Sequence, residues 1–212
     1  MPYNRTRRLS LAVVIISLIS LSSGCSKTPL RHAEPAQDQA TTTPALQRQF
    51  SPEIRQRYRQ VLTLLRQQQL IPARQRLQAL LADEPELAGA WYNLALIQYR
   101  QAEPQAALQS LERSLSLRPE QPAAYSLSGL ILRQQGQFTQ ARSAYTQALE
   151  ADSGYADAHL NLAILYDIYL QSFTDAQHHY QRYLELSGAD KQSERVTLWL
   201  QELQLRINRG AK

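Results

Sequence analysis

The sequence predicts an all-α protein, organised as a solenoid of about four helical hairpins that ends in a capping helix. The composition supports this prediction, because helix-favouring residues such as Leu, Ala, Gln and Glu are abundant in a 212-residue chain that has only 7 glycines. Apolar and small side chains recur at the spacing of one helix face. The same pattern returns after 34 residues, which indicates a repeated structural unit.

The repeating unit is clearest at residues 88–121. Trp91 begins one helical pattern, and Ala107 and Leu111 continue the same spacing after Pro104. Because proline disrupts a helix interior but readily starts a helix, the unit is predicted to be two helices joined by a turn. Small residues are expected where the two helices approach most closely, since larger ones would overpack the contact. The positions one period later hold Tyr125, Gly129, Ala141, Tyr145 and Ala148.

This unit resembles the tetratricopeptide repeat, in which Trp, Leu, Gly, Tyr, Ala, Phe or Tyr, Ala and Pro follow one another over the same period. The resemblance implies stacked helix-turn-helix repeats within a domain at residues 51–208. The first copy lacks the Trp and Gly of its first helix, so an unrelated helical hairpin is the alternative there. In the fourth copy the second helix comes one residue late, which predicts an extra residue in the turn at residues 169–173. The repeats are expected at residues 54–87, 88–121, 122–155 and 156–188.

A capping helix is expected at residues 190–208. Its apolar residues recur at helical spacing, opposite polar residues such as Glu194, Gln201 and Gln204. A repeat array needs such a helix with one polar face, because its last repeat would otherwise expose the surface on which repeats stack. A helix that binds a partner through the same stripe is the alternative interpretation. The stripe consists of Val196, Trp199, Leu200, Leu203 and Ile207.

The N-terminal part of the chain is predicted to carry an export signal and a tether. Residues 1–24 combine three arginines with an apolar run that is short for a permanent membrane span. The stretch LSSGC at residues 21–25 resembles a bacterial lipobox, which implies lipid attachment at Cys25. Cleavage without a lipid and an uncleaved anchor are the alternatives. Ser26 in place of Asp is similar to signals for the outer membrane of Gram-negative cells. Residues 25–50, rich in Pro, Thr and Gln, are expected to be a flexible tether.

Charge and motifs argue against several other classes of protein. The formal charge of +5 falls to +2 without the arginines of residues 1–24, and the remaining arginines are interleaved with Glu, Asp and Gln, so no nucleic-acid partner is expected. No glycine-rich phosphate loop or nucleophile elbow occurs, so no enzyme, cofactor or small-molecule substrate is expected. His178 and His179 are adjacent and would lie on different helix faces, which disfavours a shared metal. His159 is expected to be a packed aromatic substitute for Trp91.

The resemblance implies that the first helix of each repeat lines a groove for a protein or peptide partner. About a third of the groove residues are expected to be buried between helices instead. Family members that clamp a C-terminal carboxylate use Lys, Asn and Arg at fixed positions. Here Asn93 and Asn161 fit such positions, but Ala123 and Leu127 occupy the cationic ones, so that mode is excluded. By repeat register, the groove residues are Tyr58, Tyr92, Leu96, Tyr99, Leu130, Arg133, Leu160, Ile164 and Asp167.

These expectations combine into one functional hypothesis, that of a non-enzymatic lipoprotein tethered to the periplasmic face of the outer membrane. There it would hold a protein partner as a scaffold or assembly adapter. Small lipoproteins of this design are similar to factors that assist the secretins of type IV pili, and the fourth repeat and cap look like proteins that accompany TonB-type energy-transducing systems. A regulator or adapter of cell-wall hydrolases, or of the envelope stress response, is the alternative.

Overall fold

The computed structural model of the protein describes residues 50–210, so the predicted signal, the predicted lipidation residue Cys25 and residues 26–49 of the predicted tether lie outside the described residues. Phe50, predicted to end the tether, is instead buried in the core. Within the described range the chain forms nine α-helices and one π-helical turn, with no strand, which confirms the all-α prediction. The elements are α1 Pro52–Arg66, α2 Leu70–Asp83, α3 Ala88–Arg100, α4 Pro104–Leu117, α5 Pro122–Gln134, α6 Phe138–Ala151, α7 Ala156–Ile164, the π-helical turn Leu165–Leu170, α8 Phe173–Leu186 and α9 Lys191–Gly210.

The first eight helices form four consecutive hairpins, and each second helix also packs against the first helix of the next hairpin. Prolines mark three helix starts, since Pro52, Pro104 and Pro122 occupy first-turn positions whose N–H groups need no partner within the helix. The hydroxyl of Ser51 accepts a hydrogen bond from the Ile54 N–H at 3.3 Å and caps α1. None of the described helices is sufficiently long and apolar to cross a membrane.

The contact between the two helices of a hairpin is built on small residues. Ala107 and Ala141 are completely buried, and Gly129 is buried as well, as the sequence predicts. In the third hairpin the ring of Tyr145 on α6 packs directly onto Gly129 on α5, so that a Cβ atom built on the glycine would lie 2.6 Å from the ring. Close approach of the helices therefore depends on a missing side chain at this position.

The turns inside the hairpins share a left-handed residue that closes the first helix. In the first three hairpins the residue after it donates its N–H to a carbonyl five positions earlier, at 2.9 Å each, in the pattern of a Schellman motif. Only the third hairpin has glycine at this position, and glycine adopts the left-handed conformation without strain. The left-handed residues are Gln68 (φ 59°), Ala102 (φ 59°), Gly136 (φ 75°) and Gln171 (φ 52°).

We expect Ala102→Gly to raise the free energy of unfolding by about 1 kcal/mol, because a left-handed conformation costs an L-residue roughly that much. Gly136→Ala should lower it by a similar amount. No atom lies within 4 Å of a Cβ atom built at Gly136, so the second change isolates the backbone cost. Urea unfolding followed by circular dichroism measures both effects. Equal stability of all three proteins would contradict the left-handed geometry at these turns.

The extra residue of the fourth repeat lies in a different place from the prediction. The sequence placed it in the turn at residues 169–173, whereas the structure absorbs it in the π-helical turn Leu165–Leu170. As a result α8 begins 35 residues after α6, and the Ser172 N–H reaches back six positions, to the Tyr166 carbonyl at 2.9 Å. A π-helical turn accommodates one added residue by widening the helix, which preserves its hydrogen bonding.

Helix α9 covers the end of the last hairpin with the stripe predicted from the sequence. Val196 and Leu203 are completely buried, Trp199 packs near Tyr180 with ring centroids 6.2 Å apart, and the polar residues opposite the stripe are exposed. Near its end, the Arg206 guanidinium pairs with the Asp167 carboxylate of the π-helical turn at 2.5 Å. The sequence did not indicate this ion pair, which ties the cap to the fourth repeat.

Candidate protein-binding site

The nine predicted groove residues lie on the first helices of successive repeats, as their register implies. They come from α1, α3, α5, α7 and the π-helical turn that continues α7. Eight of them are buried, and only the ring of Tyr99 is partly exposed. The prediction that about a third of the groove residues would be buried is therefore wrong, because nearly all of them are. The repeat register defines which side of a helix a residue occupies, but not what packs over it, so their role in binding stays a prediction.

Hydrogen bonds join the first helices of neighbouring repeats. Each bond connects side chains 35 residues apart, one more than the repeat period. The sequence pointed to Asn93 and Asn161 but did not predict these pairings, although polar side chains 35 residues apart were the available signal. Because both ends of the Tyr99–Gln134 bond are held, these accessible side chains are oriented before any partner arrives. The pairs are Asn93 Nδ2 to Tyr58 Oη at 2.7 Å, Gln134 Nε2 to Tyr99 Oη at 2.8 Å, and Asn161 Nδ2 to Ser126 Oγ at 3.3 Å.

Asp167 is the buried carboxylate of this face, and its charge is compensated. Arg206 binds one carboxylate oxygen at 2.5 Å, and the Tyr180 hydroxyl donates to the other at 3.3 Å. Burial raises the pKa of Tyr180 well above its ordinary value, and the neighbouring Asp167 charge raises that pKa further. Tyr180 therefore stays protonated and acts as a donor to Asp167.

Arg133 is a buried cation whose charge is not paired in the same way. Its side chain is only 5% exposed, and its guanidinium lies over the ring of Tyr169, 5.9 Å from the centroid. Among the described residues no carboxylate lies within ion-pair distance of it. The Tyr145 hydroxyl is also buried without a hydrogen-bond partner. Burial raises the pKa of Tyr145, although the nearby Arg133 charge opposes this, so Tyr145 also remains a donor.

The π-helical turn carries the exposed apolar residues of the fourth repeat. Ile168 is 57% exposed, Tyr169 is 44% exposed, and Leu170 is exposed as well. The Tyr169 ring also contacts Phe138, with centroids 4.7 Å apart. Three consecutive apolar side chains in solvent are unusual for a well-packed helix, and they border the buried Arg133 through Tyr169.

Two histidines form a partly buried contact inside the fourth hairpin. The Nδ1 atoms of His159 and His179 are 2.9 Å apart, and the Nε2 atom of His159 lies 3.2 Å from the Ser153 carbonyl. His159 is thus packed inside the hairpin, as predicted, but it is also hydrogen-bonded. Within residues 50–210 no three His, Cys, Asp or Glu side chains are grouped so that they could hold a metal ion.

A second surface groove, which the sequence did not indicate, lies between α4, α5 and α6. Its volume is about 470 Å³, and its lining combines apolar residues such as Leu108, Leu132 and Tyr125 with the carboxylate of Glu112. Tyr125 is partly exposed, like Tyr99, but it lines a different surface. The two tyrosines therefore report separately on the two candidate binding surfaces.

Comparison with protein families identifies the repeat directly. A tetratricopeptide repeat model matches residues 58–124, and a TPR repeat model matches residues 129–167. Together the two matches cover half of the chain and include parts of all four hairpins. No curated protein matches the sequence.

Several solved structures have a similar fold at low sequence identity. PilF from Pseudomonas aeruginosa is 18% identical, with a TM-score of 0.65, and the alignment covers 74% of this chain and 69% of that one. MamA is 15% identical, with a TM-score of 0.57 and coverages of 71% and 96%. The first TPR of Spaghetti (RPAP3), bound to an HSP90 peptide, is 17% identical, with a TM-score of 0.52 and coverages of 57% and 93%. At these identities the comparisons establish the fold.

Proposed function

The chain belongs to the tetratricopeptide repeat family, and we propose on this basis that it is a non-enzymatic scaffold that binds another protein. The observation that carries the proposal is the set of cross-repeat hydrogen bonds along the first helices. Proteins of this family bind protein or peptide partners, and a face whose side chains are already ordered loses little conformational entropy when a partner binds. The partly exposed Tyr99, held by Gln134, is the point of this face that a partner reaches first.

The proposal includes a place in the cell envelope. It rests on the export signal and lipobox of the sequence, with Cys25 as the lipid-modified residue and the periplasmic side of the outer membrane as the destination. A multiply acylated cysteine would hold the scaffold permanently at the bilayer, because each buried CH₂ group contributes about 0.8 kcal/mol. Within the envelope, we propose that the protein serves as an assembly adapter of a type IV pilus/secretin system or a TonB-type system. The fold shared with PilF is compatible with the first of these.

Site-specific photo-crosslinking in living cells tests both parts of the proposal. A photoreactive phenylalanine analogue replaces Tyr99 in one full-length protein and Tyr125 in a matched control, since both rings are partly exposed. We expect a specific protein adduct at position 99 in the membrane fraction, identified by mass spectrometry. In combination with Cys25→Ala, the protein should move to the soluble periplasmic fraction, because its lipid anchor is lost.

The outcomes separate the two surfaces and the two parts of the proposal. Adducts found only at position 125 would assign binding to the groove between α4, α5 and α6 instead. The absence of adducts at both positions would contradict the scaffold function. If the Cys25→Ala protein remained in the membrane fraction, the lipid anchor would be contradicted while the binding result still stood.

A further inference from the structure

A buried positive charge, that of Arg133, lies where the third hairpin meets the fourth. Asp167 is paired with Arg206 and accepts from Tyr180, so its negative charge is already used. Arg133 is 5% exposed and has an aromatic contact, but within residues 50–210 it has no carboxylate at ion-pair distance. A buried charge is costly unless it is paired and hydrogen-bonded, so a bound carboxylate would stabilise this guanidinium.

An unsatisfied donor, the Tyr145 hydroxyl, lies close to this charge. The Tyr145 ring packs on Gly129, which precedes Arg133 by one helical turn on the same side of α5. Its hydroxyl is buried and has no hydrogen-bond partner. The Arg133 guanidinium offers only donors, and a tyrosine hydroxyl has one hydrogen to donate. The hydroxyl therefore lacks an acceptor, and among the described residues the guanidinium lacks a carboxylate. A planar guanidinium matches the two oxygens of a carboxylate.

The entrance to this pair is apolar. Tyr169 lies over the guanidinium at 5.9 Å and is 44% exposed, so a partner reaches its ring from solvent. Ile168 and Leu170 lie exposed on either side of it in the chain. These residues belong to the π-helical turn, and such turns occur frequently at functional sites. The surroundings favour an acid flanked by apolar side chains over a free inorganic anion.

We propose that Arg133 and Tyr145, beneath Tyr169, form a carboxylate-binding subsite for an acidic group of the partner protein, flanked by apolar residues. This inference deepens the proposed scaffold function and rests on it. The subsite differs from the excluded carboxylate-clamping mode, whose cationic positions hold Ala123 and Leu127 in this chain. The carboxylate comes from either an internal Glu or Asp side chain or a free chain end, and the π-helical turn provides the apolar contacts on both sides.

Three fluorescent five-residue peptides test the subsite on the full-length protein in detergent, with fluorescence anisotropy as the readout. The first is capped at both ends and carries Glu between two leucines. The second replaces Glu by Gln, and the third is the Gln peptide with a free C-terminal carboxylate. We expect the Glu peptide, the free-end peptide, or both to bind at least about tenfold more tightly than the capped Gln peptide, since a charge-assisted bond is lost in the latter. Equal affinities for all three would overturn the subsite, and micelles without protein give the background.

Two variants distinguish a binding role from a structural one. Arg133→Met should abolish the preference for a carboxylate and also raise the thermal midpoint of the unliganded protein, because it removes an unpaired buried charge. Tyr145→Phe should weaken carboxylate binding several-fold without lowering the thermal midpoint, since the lost hydroxyl has no partner in the free protein. A lower thermal midpoint for Arg133→Met with an unchanged preference would make Arg133 a structural residue.

Failure of the carboxylate subsite can be distinguished from failure of the scaffold function. Crosslinking from position 99 reports whether a partner is bound at all, whereas the peptides report only on the acid. If crosslinking succeeds in the Arg133→Met protein as efficiently as in the wild type, the subsite fails while the scaffold function stands. If no adduct forms in the wild type, the scaffold function itself fails.

Discussion

Gly129→Ala is expected to lower the free energy of unfolding by about 1–3 kcal/mol, although alanine favours a helix over glycine by about 1 kcal/mol. A Cβ atom at this position would lie 2.6 Å from both Cδ1 and Cε1 of Tyr145, which is closer than carbon atoms approach without strain. The Tyr145 ring is completely buried, so it has no free space into which it could move. Urea unfolding of the full-length protein, followed by circular dichroism, measures the loss.

Repeat two offers a matched control for this substitution. Its equivalent pair is Ala95 and Leu111, both buried, which shows that alanine is compatible with a smaller partner. We therefore expect Tyr145→Leu to recover part of the stability lost in Gly129→Ala, with a favourable coupling of about 1 kcal/mol or more in the double-mutant cycle. Simple additivity of the two changes would show that the glycine is not required by the tyrosine ring.

The stability of the protein should fall by about 1 kcal/mol between pH 7 and pH 5, after allowance for solvent screening of the partly buried histidine pair. Burial lowers the pKa of His179 to about 4, with further lowering by the charges of His159 and His178, against an opposing effect of Asp175. Burial also lowers the pKa of His159, to which Arg182 and His178 contribute, while its hydrogen bond to Ser153 and the charge of Glu185 oppose the change. In this interval the unfolded chain takes up protons that the folded chain excludes, so acidification favours unfolding.

The hydrogen-bond pattern explains why the folded pair resists protonation. The Ser153 carbonyl can only accept, so Nε2 of His159 is the donor there, and Nδ1 of His159 must accept from His179. A proton added at Nδ1 of His159 would place two donors face to face at 2.9 Å, whereas a proton added to His179 enters at Nε2 and is disfavoured by burial. His179 also stacks on Tyr166, with ring centroids 5.7 Å apart and planes inclined by 10°, which keeps the ring in place.

His179→Gln, whose amide can still donate to His159, should reduce this acid sensitivity by at least half. His178→Gln is the control, because His178 is the neighbour on the same helix and does not take part in the hydrogen bond. Urea unfolding at pH 7, 6 and 5 gives, for each protein, the slope of the free energy of unfolding against pH. The same slope in wild type and His179→Gln would show that the histidine pair does not control stability in this range.

The sequence determined the helices because their signals are local or periodic. Pro104 and Pro122 each lie in the first turn of a helix, where proline is favoured. The buried Ala107 and Ala141 follow from a pattern that repeats every 34 residues. The cap was equally predictable, since Val196 and Leu203 lie on one stripe of a single helix. These features depend on residues that are close in sequence or related by the period.

Other features depended on geometry that the pattern does not contain. Counting residues revealed one extra position in repeat four, but only hydrogen bonding decides whether a helix widens or a turn lengthens, so the π-helical turn was missed. The pairing of Arg206 with Asp167 joins elements outside the repeat register, and nothing in the pattern indicates it. The burial of Tyr92 and Leu130 likewise depends on packing across helices, which the register does not describe.

The π-helical turn also sets the rotational register of the last hairpin and the cap relative to the preceding repeats. Each residue of an α-helix turns the following chain by about 100°, so deleting one residue from Leu165–Leu170 would swing Asp167 and Tyr169 away from Arg206 and Arg133. Idealised 34-residue modules could be grafted onto the chain before this point without disturbing the last hairpin. A chimera joined after it would inherit a one-residue offset, and must keep the insertion if α8 is to meet the cap.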